Sequence, residues 1–152
     1  MNKKTILGMD FHFGIGFLSE LIEGTGLKLE ELGTQDDIVL IPKIMYFSHL
    51  YAMKRQGVEI DFTIENLHDF IDDNGGVGGK FWIDFKIAFN ESMFKDVPVD
   101  TDKKKSESSE IDFKKDVISF ACGELGIMRL SDVYDMTFAE FQIRLFAYKR
   151  MQ

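Results

Sequence analysis

The stretch TILGMDFHFGIGFL, residues 5–18, passes from an alternating apolar pattern to a helical one. From Met9 to Phe17 every second residue is apolar, which is typical of a β-strand. After Gly16 the apolar residues fall on one face of a helix: Phe17, Leu18, Leu21 and Ile22. The sequence therefore predicts a short N-terminal strand or hairpin, followed by a helix that ends by Gly26.

Further short helices are predicted downstream. A helical turn is expected to end at Gly33. Asp36 or Asp37 is expected to cap a central helix that ends at Gly57. A proline deep inside a helix clashes with the preceding turn, so Pro42 is expected in the first turn of this helix. The apolar stripes of the central helix are expected to contain Leu40, Ile41, Ile44, Met45, Phe47, Tyr51 and Ala52.

Two more elements complete this part of the chain. Thr63 is expected to begin a helix that ends at Asn74. Residues 81–89 are ambiguous, because their apolar residues alternate like those of a strand and also fit one face of a helix. A helix is favoured, since the segment continues to Phe94 and its neighbours are helical.

Charge and composition divide the chain into three parts. The chain has 152 residues and a formal net charge of -8, and its first 94 residues hold 15 acidic but only 8 basic residues. Residues 95–109 contain almost no apolar side chain and cannot offset the entropy of folding, which predicts a charged linker. A long solvated loop is the alternative, although such loops are uncommon inside a compact domain. The expected division is a helical domain (1–94), this linker (95–109) and a small helical extension (110–152).

The C-terminal part predicts two helices joined by a short helical turn. Residues 109–112 (SEID) have the spacing of a capping box, for a helix expected to end at Gly126. Ser131 or Asp132 is expected to cap the turn, and residues 137–140 (TFAE) form a capping box for the last helix. This unit is small for an independent core, so it is expected to lean on the first domain or on a partner.

Composition limits the class of protein. Hydrophobic residues make up 45% of the chain, so it can bury a core, and the expected fold class is mainly α-helical. A single cysteine excludes a disulfide framework and a thiolate zinc site. The apolar runs are too short for a membrane helix or a good signal peptide, so a cytoplasmic protein without membrane association is expected. The acidic balance argues against a nucleic-acid-binding surface.

Two local patterns resemble ligand sites without completing one. The run Gly75-Gly76-Val77-Gly78-Gly79-Lys80 lacks the flanking residues of a phosphate-binding loop and fits a plain glycine-rich turn. His68 and Asp72 share a predicted helix face, but no second histidine follows at a ligand spacing. An acidic, solvated helix end is the favoured interpretation of this second pattern.

The other reactive side chains are interpreted as structural. His12 and His49 have apolar neighbours and are expected to be hydrogen-bonded residues of the core or its boundary. Cys122 follows Phe120 and Ala121 and is expected to be a small buried side chain. The sequence therefore predicts no catalytic residue, no metal ligand and no cofactor.

Aromatic residues and methionine are frequent, with 15 Phe, 4 Tyr, 1 Trp and 8 Met. Such side chains fill cores, and they also form adaptable protein-binding surfaces. A core role is favoured for most of them, because helical apolar stripes are usually buried. Contact with a partner remains the alternative.

The order of the elements resembles that of the tail assembly chaperones of long-tailed bacteriophages. The resemblance covers about residues 5–94 and rests on FHFGIGFLSEL (11–21), LKLEEL (27–32), the central helix over 44–52, FTIENLHDFID (62–72) and AFNESM (88–93). Residues 123–141 are similar to the extension found on the longer form of these chaperones.

The resemblance implies a non-enzymatic protein that binds the tape-measure protein, keeps that long helical chain soluble and recruits tail-tube subunits through the extension. It also implies that the long form arises by frameshifting, for which Lys103-Lys104-Lys105 is a candidate site. A phage-encoded member of this family acts in the cytoplasm of its bacterial host. Whether the chain forms a homo-oligomer stays open.

A chaperone for an apolar helical segment needs a groove of flexible or aromatic side chains and an acidic exterior. The central and last predicted helices both carry such side chains. The residues predicted to contact partners are Met45, Tyr46, Phe47, Tyr51, Phe138, Phe141 and Phe146.

Two other functional classes are weighed against this one. The net charge of -8 and the acidic patch from Asp69 to Asp73 also fit a small acidic regulator, which mimics nucleic acid and inhibits a basic nucleic-acid-binding enzyme. Such a mimic should bind with strong salt dependence, whereas an apolar chaperone groove should be nearly independent of salt. A small hydrolase is the third class, and it would need a buried ionisable group with a shifted pKa.

Overall fold

A computed structural model describes residues 3–98, 117–118, 120–126 and 129–150. The mainly helical class with a short N-terminal hairpin is confirmed. Most of the predicted linker and all of the capping box at 109–112 lie outside the described residues. The elements are β1 (Lys3–Ile6), β2 (Met9–His12), α1 (Ile15–Thr25), a 3₁₀ helix (Leu29–Gly33), α2 (Asp37–Arg55), α3 (Ile64–Asp73), α4 (Lys80–Phe94), α5 (Phe120–Gly123), α6 (Leu130–Asp135) and α7 (Phe138–Arg150).

Strands β1 and β2 form an antiparallel hairpin in which Ile6 is paired with Met9. The two residues between them, Leu7 and Gly8, have φ angles of 50° and 79°. A two-residue turn with both residues left-handed matches the twist of the flanking strands, which explains why a glycine is needed here. His49 of α2 contacts the carbonyl oxygen of Asp10 through its Nδ1 at 2.7 Å, and this contact fixes β2 against α2.

The boundaries of the first helices follow their caps. Gly26 ends α1 in the left-handed conformation, and Asp36 caps α2 by accepting a hydrogen bond from the backbone N–H of Ile38. The expectation that Pro42 lies in the first turn is wrong, because α2 already begins at Asp37. Pro42 has no N–H to donate to the carbonyl of Ile38, one turn earlier in the helix. Ile38 is exposed near the start of α2, so water can donate that hydrogen bond instead.

Both elements of the following part are helices. The Thr63 side chain accepts a hydrogen bond from the N–H of Asn66, and the Asn66 side chain accepts one from the N–H of Thr63, so a capping box starts α3. The segment 81–89 lies within α4, which confirms the helical alternative. Its inner face buries four large side chains against the rest of the chain: Phe81, Trp82, Phe85 and Met93.

Aromatic rings occupy the centre of the core. The ring of Phe85 lies 4.9 Å from that of Phe11 and 5.5 Å from that of Phe13, measured between centroids, in edge-to-face arrangements. Phe89 contacts both Phe13 and Phe17 in the same way. The hairpin, α1 and α4 are therefore joined through one aromatic cluster.

The C-terminal helices pack on the N-terminal part of the chain. Gly14 forms an isolated antiparallel bridge with Thr137, and the N–H of Ile15 donates to the carbonyl of Met136 at 2.7 Å. Helix α6 lies against α1, and α7 lies against α4. The first domain thus supplies the support that the small C-terminal unit was expected to need.

The helix starts in this part agree only partly with expectation. Thr137 caps α7 by accepting a hydrogen bond from the N–H of Glu140, as predicted. The expected cap of α6 by Ser131 or Asp132 is wrong, because α6 begins at Leu130 and its cap position is Arg129, two residues before Ser131. The side chain of Arg129 makes no cap hydrogen bond. Asp132 lies in the first turn of α6, where its negative carboxylate interacts favourably with the positive end of the helix dipole.

Candidate functional site

The outer face of α4 carries a stripe of exposed side chains, which we call the outer stripe: Ile83, Ile87, Asn90 and Phe94. The exposed fractions of Ile83, Ile87 and Phe94 are 47%, 53% and 63%. Spacings of four, three and four residues align these positions on one face of a helix. Helix α4 is therefore apolar on two faces, and only the inner one is buried within the described residues.

Charged residues flank the outer stripe. Asp84 and Glu91 lie on one side, and Asp84 forms an ion pair of 2.8 Å with Lys80 that raises the pKa of the lysine. Lys86 lies on the other side and is paired with Asp37 of α2 at 2.5 Å. Glu91 makes no ion pair within the part of the chain that the structure describes. The stripe is thus an apolar strip between charged edges.

A groove of about 340 Å³ lies beside the outer stripe, between β1, α4 and α7. Lys3 and Lys4 line it from β1, Ala88 and Glu91 from α4, and Ile143 from α7. A shallower depression on the same side joins Leu7 of the hairpin turn to Ile87 of the stripe. Lys4, Lys80, Asp84 and Glu91 also line this depression, so charged side chains lie between the stripe and the hairpin turn.

Three of the residues predicted to contact partners lie in the core. Met45, Tyr51 and Phe141 have exposed fractions of 0%, 5% and 3%. They offer no surface to a partner in this conformation, because each points to the packed side of its helix. Burial also raises the pKa of Tyr51 to about 12, which disfavours a phenolate at neutral pH.

The other four predicted contact residues are half-buried, and for them partner contact stays a prediction. The hydroxyl of Tyr46 donates to the carbonyl of Phe62 at 3.3 Å, and its ring contacts that of Phe47. Phe138 stacks on Phe141. The guanidinium of Arg150 lies 5.6 Å from the centre of the Phe146 ring.

A polar cluster around the buried side chain of His12 joins the N-terminal part of the chain to α6. His12 is fully buried, and its Nδ1 accepts a hydrogen bond of 3.0 Å from the N–H of Gly14. Its Nε2 therefore carries the proton and donates to Oδ1 of Asp135 at 3.2 Å. Arg55 holds the same carboxylate, with Nη2 at 2.8 Å from both oxygens. The ring of Tyr51 contacts that of His12 edge-on, and both ring nitrogens of His12 are engaged in hydrogen bonds.

This cluster predicts a pH dependence of stability. Burial lowers the pKa of His12 below 6.5, although Asp135 opposes the shift, and protonation would place a second N–H against the N–H of Gly14. The unfolded chain therefore binds the proton more readily than the folded chain, and the free energy of unfolding should fall as the pH drops below 6.5. Urea unfolding at about pH 7.5 and about pH 5.5 measures this difference.

The contribution of His12 is separated from that of other groups by a matched pair of variants. His12→Gln should flatten the dependence over this pH range, while His68→Gln, which changes an exposed histidine on α3, should keep it. An equal slope in His12→Gln and the unchanged chain would show that another group causes the loss.

The glycine run and the histidines singled out in the sequence occupy structural positions in the fold. The glycine run forms the turn between α3 and α4, with Gly75, Gly76 and Gly78 at positive φ. His68 and Asp72 are exposed on α3, and no cluster of three or more potential metal ligands occurs among the described residues. His12 and His49 are buried and hydrogen-bonded, as expected.

Cys122 is exposed, so the prediction of a buried side chain is wrong. Its neighbour Ala121 in the same short helix, α5, faces the core of the protein and is fully buried. Successive residues of a helix point about 100° apart, which leaves Cys122 on the solvent side.

Two features were missed from the sequence. The outer stripe has a signal, because its four positions follow the alternating spacing of four and three, but the same segment also fits a strand. The contact between His12 and Asp135 joins residues 123 positions apart and has no local signal. Neither helix periodicity nor capping predicts which distant carboxylate faces a buried histidine.

The fold and the site define a small, mainly helical domain with an N-terminal hairpin and an exposed apolar helix face. Among the described residues, no helix is long and apolar enough to span a membrane. A scan of protein-family models, a search of curated proteins and a search of solved structures each gave no match to the chain.

Proposed function

We propose that the chain is a non-enzymatic tail assembly chaperone, which binds the tape-measure protein of a long-tailed bacteriophage and recruits tail-tube subunits. The observation that supports this proposal is the outer stripe, where three large apolar side chains lie exposed on a single helix face. Isolated exposed apolar residues are ordinary, but a continuous strip of them usually marks a protein contact. A chaperone for a long helical chain needs such a strip.

The charge of the chain suits the same task. A formal net charge of -8 resides mostly in the first 94 residues and disfavours self-association of a complex that would otherwise aggregate. The half-buried aromatic residues of α7, Phe138 and Phe146, are candidates for the contact with tail-tube subunits. The proposed site of action is the cytoplasm of the bacterial host.

Co-expression with the long helical protein encoded next to this chain tests the proposal. We expect the partner to become soluble and to co-purify with the chain at low and high salt alike, because apolar contacts are little screened. The measurement is the soluble fraction and the amount recovered with tagged chain. A partner that stays insoluble, or the absence of such a gene, would contradict the proposal.

One observation favours a second candidate, an acidic regulator that mimics nucleic acid. Asp69, Asp72 and Asp73 are all exposed on α3 and present their carboxylates to solvent. A basic enzyme bound at this patch should dissociate steeply as salt rises, which separates this candidate from an apolar chaperone contact.

A further inference from the structure

The C-terminal helices are joined to the backbone of the first domain within one short segment, residues 12–15. Gly14 pairs with Thr137 in the isolated bridge, and beside it the N–H of Ile15 donates to the carbonyl of Met136 at 2.7 Å. Within the described residues, the backbone joins the two parts nowhere else. The attachment of α6 and α7 therefore depends on the conformation of this segment.

Aromatic packing does not cross between the two parts. Among the residues that the structure describes, every contact between aromatic rings joins two residues of the same part. The first domain forms its cluster around Phe85, while the C-terminal helices pair Phe138 with Phe141 and Phe120 with Tyr148. The first domain can therefore keep its aromatic core when the C-terminal helices move away.

His12 lies at the junction in its neutral form. Its Nδ1 accepts the hydrogen bond from the N–H of Gly14 at 3.0 Å, and its Nε2 contacts Asp135 of α6 at 3.2 Å. A protonated imidazole carries a hydrogen on both nitrogens and has no acceptor left. Protonation would therefore set two N–H groups against each other at the fully buried ring, and Gly14 would have to move.

Charged and titratable groups face His12 from three elements. Asp135 of α6 favours the protonated form, whereas Arg55 of α2 and the amino terminus of the chain disfavour it. Arg55 also holds the carboxylate of Asp135 at 2.8 Å. Tyr51 of α2 contributes an uncharged ring, and Lys3 lies opposite His12 in the hairpin. Burial is the largest cause and keeps the pKa of His12 below 6.5, so the ring takes up a proton only in acid.

We propose that His12 is a pH-sensitive latch, which holds the C-terminal helices on the first domain while it is neutral and releases them when it is protonated. Displacement of Gly14 would break the bridge to Thr137 beside it. The other side of β2 is held by its pairing with β1 and by the contact of His49 with Asp10. Release of the C-terminal helices is therefore the easier response to the proton.

Release would change the surface that the chain presents. Val133 of α6 and Phe141 of α7 have exposed fractions of 0% and 3% in the closed form. Acid would uncover apolar surface on these helices while the first domain stays folded. The inference goes beyond the proposed function and does not rest on it, since it concerns only how two parts of this chain are held together.

One tryptophan and one cysteine make the release measurable on the full chain. Trp82 lies in α4 of the first domain, and Cys122 is exposed on α5. Helix α5 belongs to the C-terminal part, because it contacts α6 and because Glu124 beside it accepts a hydrogen bond from Tyr148 of α7. Energy transfer from Trp82 to a pH-insensitive acceptor dye on Cys122 therefore reports the separation of the two parts.

The expected result is a loss of energy transfer in acid. Its efficiency should fall at least about twofold between about pH 7.5 and about pH 5. The emission maximum of Trp82 in the unlabelled chain should stay that of a buried indole, because the first domain remains folded. Gly14→Ala, which should detach the same helices at any pH, supplies the transfer efficiency of the released form.

A matched pair of variants assigns the effect to His12. His12→Gln should keep the transfer constant over this pH range, because an uncharged amide can accept from Gly14 and donate to Asp135 at both ends of it. His68→Gln, at the exposed histidine of α3, should leave the loss of transfer unchanged. Thermal melting checks that both variants fold, and His12→Asn, with the same amide on a shorter side chain, replaces His12→Gln if that variant does not.

Three outcomes would overturn the inference. Transfer that stays constant or rises down to about pH 5 would show that protonated His12 remains held by Asp135. A shift of the Trp82 emission together with the loss of transfer would show that the whole chain unfolds and that no separate release occurs. An equal loss in His12→Gln and in the unchanged chain would assign the release to another group.

Discussion

Gly14→Ala is expected to detach the C-terminal helices from the rest of the chain. A Cβ at Gly14 would lie 2.1 Å from the carbonyl oxygen of Tyr134 and 2.7 Å from Cε1 of His12. The first contact is with backbone, which a side-chain rotation cannot relieve. The bridge to Thr137 and the hydrogen bond from Ile15 to Met136 lie at the same place, so both should be lost. We expect a loss of about 3 kcal/mol in the free energy of unfolding.

The expected loss of stability in Gly14→Ala does not come from backbone strain at residue 14, so the variant tests the steric contacts with Tyr134 and His12 alone. Gly14 has φ -75° and ψ 170°, a conformation that alanine adopts freely. Gly33→Ala is the matched control, because a Cβ there meets nothing within 4 Å and its φ is not in the left-handed region. Urea unfolding and limited proteolysis should show early release of the C-terminal helices only in Gly14→Ala. Indistinguishable behaviour of the two variants would mean that the bridge contributes little.

Much of the fold follows from local patterns in the sequence. The glycine at position 26 and the caps at Asp36 and Thr63 predict boundaries that the structure confirms. The alternation up to Phe17 predicts the hairpin but not its end, because β2 ends at His12 and α1 already begins at Ile15. These signals succeed because each depends on backbone groups within one turn of the residue. The predicted start of α2 near Pro42 is wrong, because the exposed first turn of the helix tolerates the hydrogen bond that the proline cannot donate.

The choice between core and surface could not be made from the same patterns. Helical spacing groups residues on faces, but it does not say which face another element covers. In α4 both faces are apolar, and only packing of Phe85 against Phe11 and Phe13 decides which is inner. The same limit explains why Met45, Tyr51 and Phe141 were assigned to a contact surface although they lie in the core.

Phe11→Ala is expected to have the largest effect on the stability of the first domain. The Phe11 side chain is fully buried, and its ring contacts those of Phe13, His49, Phe81 and Phe85. Truncation would remove the contacts that join the hairpin to α2 and α4 and would leave a cavity. The expected loss is about 4 kcal/mol of a total that is about 5–15 kcal/mol for a domain, measured by urea unfolding.

Phe94→Ala is the control that links stability to binding. Phe94 is 63% exposed at the end of α4, so its truncation should change the free energy of unfolding by less than about 0.5 kcal/mol. The same variant should nevertheless recover less soluble tape-measure protein in the co-expression experiment, because Phe94 belongs to the outer stripe. Equal losses of stability in Phe11→Ala and Phe94→Ala would place Phe94 in the core and remove it from the binding surface. A stable Phe94→Ala variant with weakened binding would separate the residues that hold the fold from those that contact the partner.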